Sequence, residues 1–263
     1  MTFAQIFSCP AFAVTVGVFT GLCVGSFLNV VIHRVPLKLF AEPGAAASES
    51  VCLSRSRCPR CRKAIAARDN VPLLSYLLLR GRCRHCRLRI SARYPLIEGL
   101  AAVLFGAAGM KLGLGYAWVG LCLLSAFLIA LSAIDVDHLV LPDVLTLPLL
   151  GLGIAFNAGP GFVSPAASLA GAVAGYVFLW LVAKVSARIV GREALGMGDA
   201  KLLAALGAWL GFNAIVPIVV IAVAVAAALM MLARIRTGAR GGVQVPFGPS
   251  LAVGALCVAL HVS

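Results

Sequence analysis

Acidic side chains are scarce in this 263-residue chain: nine Asp and Glu stand against 22 Lys and Arg, and only 12% of all residues are charged. With 62% hydrophobic residues and a mean hydropathy of +1.03, that scarcity excludes an ordinary soluble domain, in which about a quarter of residues carry charge. Aromatics do not interleave with the basic residues, so the net charge of +13 does not describe a nucleic-acid surface. No basic segment precedes the first apolar run and no small-residue cleavage site follows it, which makes that run a retained span and not a signal peptide. There is no internal repeat.

What the chain does have is long apolar runs. A helix needs about 20 apolar residues to cross a hydrocarbon core of about 30 Å. Windows near 10–32, 95–111, 116–134, 139–157, 166–184, 200–212, 214–233 and 245–262 qualify, the sixth being short. The expectation is an all-α polytopic membrane protein of about eight spans, divided into a first span (1–32), a polar loop (33–93) and a membrane domain (94–263). Residues 43–50 read as a flexible entry to the loop. Fourteen of the 22 basic residues lie between Arg34 and Arg93, so the positive-inside rule puts the loop in the cytoplasm and both termini outside. Counted forward, the 184–199 and 233–244 connections also fall on the cytoplasmic side, and they carry Lys184, Arg188, Arg192, Arg234, Arg236 and Arg240.

Against that background the few acids stand out. Glu98, Asp135, Asp137, Asp143 and Asp199 lie in or beside apolar runs, where a carboxylate costs several kcal/mol unless a cavity or a partner accommodates it. The span count brings Asp135 and Asp199 to the same cytoplasmic depth on separate helices. Two facing carboxyls of low exposure share one proton, which makes one an acid and the other a base, the division of labour of aspartic proteases. Gly196 and Gly198, lacking Cβ, would let substrate backbone approach Asp199. Lys201 either tunes that charge or snorkels to the headgroups. Spacing alone leaves three readings open: hydrolysis, a proton-coupled transporter, and simple pairing of Asp199 with Lys201 or of Asp137 with a loop arginine. Pro142, Pro148 and Pro217 are candidate kinks. Gly171 and Gly175 form a GxxxG suited to packing within the molecule.

The loop carries Cys58-Pro59-Arg60-Cys61 and Cys83-Arg84-His85-Cys86, two CxxC knuckles at zinc-ribbon spacing. Four thiolates leave no open position for water, so the expected metal is structural zinc, supplying folding energy that a 61-residue polar segment lacks. The flanking arginines are expected to lower the thiol pKa values, and His85 is a rival ligand. Cys9, Cys23, Cys122 and Cys257 read as packing residues, and Cys52 as a spare thiol.

Longer stretches carry a resemblance. Gly25-Ser26-Phe27-Leu28-Asn29 through His33-Arg34-Val35-Pro36, Arg80-Gly81-Arg82-Cys83, Tyr94-Pro95-Leu96-Ile97-Glu98, Ile134-Asp135 through Leu141-Pro142-Asp143, Gly196-Met197-Gly198-Asp199 and Pro246-Phe247-Gly248-Pro249 together resemble the type IV prepilin peptidases, GxGD-class membrane aspartyl proteases. His33 stands where an aromatic is expected. The resemblance implies Asp135 and Asp199 as the catalytic pair, with Asp137 a rival for the first role and Gly196, Gly198, Asp137, Asp143 and Lys201 in support. It implies cleavage of the basic leader of type IV prepilins and pseudopilins, pilus or type II secretion subunits, at the cytoplasmic face of the bacterial inner membrane. Glu98 and Asp143 are then candidate substrate contacts. Relatives with the cysteine loop also methylate the new N-terminus with S-adenosylmethionine, so that activity is expected too.

Overall fold

The structure is a computed structural model that describes residues 10–40, 58, 60–61, 63–66, 69–190, 196–237 and 245–262. The expected flexible entry at 43–50, Cys9, Cys52, Arg192 and Arg240 lie outside the described residues. The described residues are mostly helical, and Arg82 and Arg89 form an isolated antiparallel bridge. In order come α1 (Pro10–Leu39), α2 (Leu74–Leu78), α3 (Arg93–Leu112), α4 (Tyr116–His138), α5 (Asp143–Asn157), α6 (Pro165–Val190), α7 (Met197–Leu210), a 3-10 turn (Phe212–Ala214), α8 (Ile215–Thr237) and α9 (Gly248–Val262).

Apart from α2, each helix takes one of the eight apolar windows. Pro10–Leu39, Arg93–Leu112, Tyr116–His138, Pro165–Arg188 and Phe212–Arg236 are long and apolar enough to cross a bilayer. This is a multi-pass membrane protein. The helices α5, α7 and α9 have 14 or 15 residues, about 21–23 Å at 1.5 Å per residue and short of the hydrocarbon thickness. The first helix runs seven residues past its window, through Pro36 to Leu39.

The chain divides into two compact units, 1–130 and 131–263, with the boundary inside α4. In the first, α1 and α3 pack along a seam of small residues. Gly17, Gly21 and Gly25 recur every fourth residue, on one helix face; a Cβ on Gly21 would lie 2.7 Å from Ala102 Cα, and one on Gly25 2.7 Å from Glu98 Cα. Between apolar helices in lipid there is little hydrophobic drive to associate, so close backbone contact supplies the attraction. Asn29 adds hydrogen bonds from Nδ2 to Gly25 O and Tyr94 O, both at 3.2 Å.

The second unit is built around α7, whose residues Leu202–Leu210 are all buried. Gly171 on α6 and Gly207 on α7 leave no room for each other's Cβ, and Gly175 meets Leu203 O, so the GxxxG packs internally as expected. At the far end of α7, buried Asn157 donates to Ala208 O at 2.8 Å and Trp209 O at 3.0 Å. Its Oδ1 accepts the Phe162 and Val163 N–H groups. Trp209 stacks on Phe156 and donates from Nε1 to Leu149 O at 2.8 Å. The bonds to Ala208 O and Trp209 O satisfy buried helix-end carbonyls, and together with the Trp209–Leu149 bond they fix the height of α7 against α5. Of the three prolines expected to kink helices, Pro142 is an N-cap and Pro217 sits in the first turn of α8, where no helical hydrogen bond is lost. Of the three, Pro148 alone lies in a helix interior.

Candidate active site

The last turn of α4 carries Asp135 and Asp137. Two residues are about 200° apart around a helix, so they point to opposite sides. Asp135 is 5% exposed, whereas Asp137 is exposed. The two candidates for the first role thus face opposite sides of one helical turn. Leu139 then ends α4 in a left-handed conformation (φ 55°) that leucine rarely adopts, with its N–H on Asp135 O at 2.8 Å. This reversal lets Leu141 fold back within a few residues.

Buried Leu141 makes contact with both of the glycine-rich segments. A Cβ on Gly198 would lie 2.9 Å from Leu141 Cβ, and one on Gly248 3.2 Å from Leu141 Cδ2. The missing side chain of Gly198 therefore makes room for the protein's own leucine. Gly196, by contrast, is exposed, and among the described residues a Cβ there would meet only Asp199 Oδ2 at 3.6 Å and Gly198 N at 4.0 Å. Gly196 caps α7, and the Asp199 N–H donates to its carbonyl at 3.1 Å. Asp199, half-buried in the first turn of α7, lies within electrostatic range of Asp135.

Gly248 opens α9, and its N–H donates to Asp135 Oδ2 at 2.8 Å. A Cβ on Gly248 would sit 2.8 Å from the same oxygen. The Pro246–Pro249 motif thus holds a residue of the site that its sequence alone does not assign. The signal was available: a glycine between two prolines in an otherwise apolar helix start marks a close backbone approach. Gly248→Ala keeps the N–H but presses a methyl on the carboxyl, so activity of the site is expected to fall about 10- to 100-fold with little loss of stability. Parallel turnover and thermal-melt measurements check this.

Lys201 pairs with Asp143 and not with Asp199. Its ammonium donates to both oxygens of Asp143, at 2.7 and 2.8 Å, because one turn of α7 brings it over the first turn of α5. Glu98 is likewise engaged: buried on α3, it accepts the Leu73 N–H at 2.8 Å and interacts with the Ser26 side chain. Both acids expected to meet a basic leader thus already hold donors from the chain itself.

In the first unit, the sulfur atoms of Cys58, Cys61, Cys83 and Cys86 lie within 4.8 Å of one another, with Cys58 and Cys86 Sγ at 4.0 Å. Tetrahedral Zn–S bonds of about 2.3 Å require sulfurs about 3.8 Å apart, so the four residues fit a metal. His85 is not part of the cluster. Each knuckle is closed by backbone: Cys58 N–H donates to Lys63 O at 3.0 Å, and Cys83 N–H to Leu88 O at 2.9 Å. An Arg84–Asp69 ion pair at 2.6 Å ties down the second knuckle. The Cys83 thiol is drawn down to about 7 by the backbone N–H groups of Cys86 and His85, not by the flanking arginines. The Leu88 N–H pulls Cys86 the same way, but desolvation and the neighbouring Cys83, Cys61 and Cys58 outweigh it and push that thiol up to about 11. One thiolate forms readily here, and four together call for a cation. Cys122 is buried, and Cys23 and Cys257 are exposed on their helices; none belongs to the cluster.

Comparison with known proteins gives the arrangement a relationship. No solved structure matches the chain. The "Prepilin leader peptidase/N-methyltransferase" of Burkholderia pseudomallei (strain K96243) is 46% identical over 93% of this chain and 82% of its own length. The proteins of the same description from Neisseria gonorrhoeae and Pectobacterium carotovorum subsp. carotovorum are 43% and 42% identical, over 92% and 96% of this chain and 88% and 94% of their own lengths. The model of the Bacterial Peptidase A24 N-terminal domain matches residues 19–112, which hold the cysteine cluster, and that of the Type IV leader peptidase family matches residues 122–232, which hold both aspartates. With its two aspartates and its cysteine cluster each inside one of these matches, the chain belongs to the type IV leader peptidase family.

Proposed function

We propose that this protein is a prepilin leader peptidase and N-methyltransferase in which Asp135 and Asp199 hydrolyse the leader peptide bond. The observation that carries this is the placement of buried Asp135 and half-buried Asp199 within electrostatic range, on the ends of α4 and α7, in a family of leader peptidases. The proton-coupled transporter has no support in that relationship.

Repulsion keeps the pair from ionising together, so one carboxylate and one carboxylic acid share the site. The carboxylate takes a proton from water as the water oxygen bonds to the scissile carbonyl carbon. The acid gives its proton to the carbonyl oxygen. Collapse of the tetrahedral diol breaks the C–N bond, the departing amine takes up a proton, and the pair returns to its starting charge. The Gly248 N–H orients Asp135, and the Lys201–Asp143 ion pair holds α7 against α5 so that Asp199 keeps its place. The open backbone at Gly196 suits an extended substrate strand.

The substrates are type IV prepilins and pseudopilins of pilus or type II secretion systems, cut after a basic leader at the cytoplasmic face of the inner membrane, with the basic 33–93 loop inside and both termini periplasmic. Substrate contact at Glu98 or Asp143 would act through these engaged carboxylates. Residues 33–93 form a module in which Cys58, Cys61, Cys83 and Cys86 hold structural zinc, ahead of a peptidase domain at 94–263. S-adenosylmethionine supplies an electrophilic methyl group to the amine that cleavage releases; this half rests on the family relationship.

Purified protein incubated with a prepilin and methyl-labelled S-adenosylmethionine is expected to shorten the prepilin and label its new N-terminus. An uncut prepilin overturns the peptidase reading, and cut but unlabelled product overturns the methyltransferase half.

A further inference from the structure

Within the polar loop lies a stretch that does not belong in water. Residues 71–79 read Val-Pro-Leu-Leu-Ser-Tyr-Leu-Leu-Leu and contain α2. The Ser75 hydroxyl accepts the Val71 N–H at 3.1 Å and is turned inward. Val71, Leu74, Leu77 and Leu78 instead face outward and are 43%, 53%, 70% and 74% exposed. A soluble loop would bury such a face or replace it with polar residues.

Its depth can be read from the first unit. Leu73 N–H donates to Glu98 Oε2, and Glu98 lies level with Gly25 in the α1–α3 seam. From Gly25 the apolar run of α1 continues seven residues to Ile32, about 10 Å along the axis. Helix side chains lean toward the N-terminus, so the Glu98 carboxylate reaches back from that level toward Arg93. Leu73 is therefore held near the height at which α3 leaves hydrocarbon. Directly after the leucines come Arg80, Arg82, Arg87 and Arg89, all exposed. An apolar face at the boundary with a basic rim is the pattern of a segment lying in a membrane interface, its cations on anionic headgroups.

We propose that residues 71–79 are a membrane-seated foot of the cysteine loop: Leu74, Leu77 and Leu78 enter the acyl boundary of the leaflet on the loop's side, and the arginines after them meet phospholipid phosphates. The foot sets the height of the Cys58–Cys86 cluster above the bilayer without itself spanning it.

The test uses the full-length protein in vesicles of phosphatidylethanolamine and phosphatidylglycerol, with the photocrosslinker p-benzoylphenylalanine replacing Leu77, or Lys63 as an exposed position elsewhere in the loop. Mass spectrometry after irradiation is expected to find phospholipid adducts at position 77 at least about fivefold above those at position 63. The same probe replacing Leu78 must agree. Equal lipid yields at the loop positions overturn the proposal, as does a dominant adduct to a second copy of the chain or to added prepilin.

Discussion

Replacing either Asp135 or Asp199 with asparagine lowers prepilin cleavage by about 10³-fold or more while leaving the protein folded in the membrane. The amide keeps the size of the side chain and can still accept the Gly248 N–H at position 135, so packing of the α4, α7 and α9 ends is preserved. It can neither take a proton from water nor pass one to the carbonyl oxygen. Because the two carboxyls act as one unit, Asp135→Asn/Asp199→Asn is expected to be no worse than either single variant, a non-additivity that independent contributions would not show. Asp137→Asn, on the exposed side of the same helical turn, should cut within a few-fold of the parent. Cleavage by purified variants, read as the fraction of prepilin shortened per minute, decides it; full activity in either single asparagine variant would falsify the assignment.

Loss of any one cluster cysteine has the second largest effect. Cys58→Ser, Cys61→Ser, Cys83→Ser or Cys86→Ser is expected to lower bound zinc from about one per chain to near zero, because three thiolates and a hydroxyl hold the ion far less well. The loop then loses the free energy that folds it, and limited proteolysis should cut between residues 58 and 86 at least about tenfold faster, while Cys122→Ser changes neither zinc content nor cutting. Dialysis against a strong chelator should reproduce the serine result in the unaltered protein, and more readily at lower pH, where protons compete for the sulfurs. Zinc content by elemental analysis and the time course of proteolysis are the two readouts.

Most of the fold could be read locally. The apolar windows needed only their own length and composition to place the helices, and the two CxxC pairs needed only their spacing to announce the cluster. Less could be read about how side chains face one another. Lys201 is two residues from Asp199 in sequence, which made a direct pairing look natural. On a helix two residues point away from each other, and the ion pair goes to Asp143 instead, 58 residues away. Glu98 looked like a substrate contact because a carboxylate in an apolar run seeks a reason; that reason includes the Leu73 backbone, which no pattern in the sequence connects to it. The space left by Gly198 is next to Leu141, a neighbour that no pattern in the sequence connects to it.

The two scarce aspartates remain where the sequence directed attention. By itself the sequence determined that this is a helical membrane protein, that a handful of carboxylates lie in apolar surroundings, and that four cysteines form a unit. Each follows from the cost of burying charge or from spacing along one chain. Only the tertiary structure decided that Asp135 and not Asp137 turns inward, that Gly248 supplies the backbone donor which orients it, and that Leu141 wedges between the glycine segments. Those are outcomes of packing between helices far apart in sequence, where a difference of a methyl group or of 200° around an axis determines which atoms can meet.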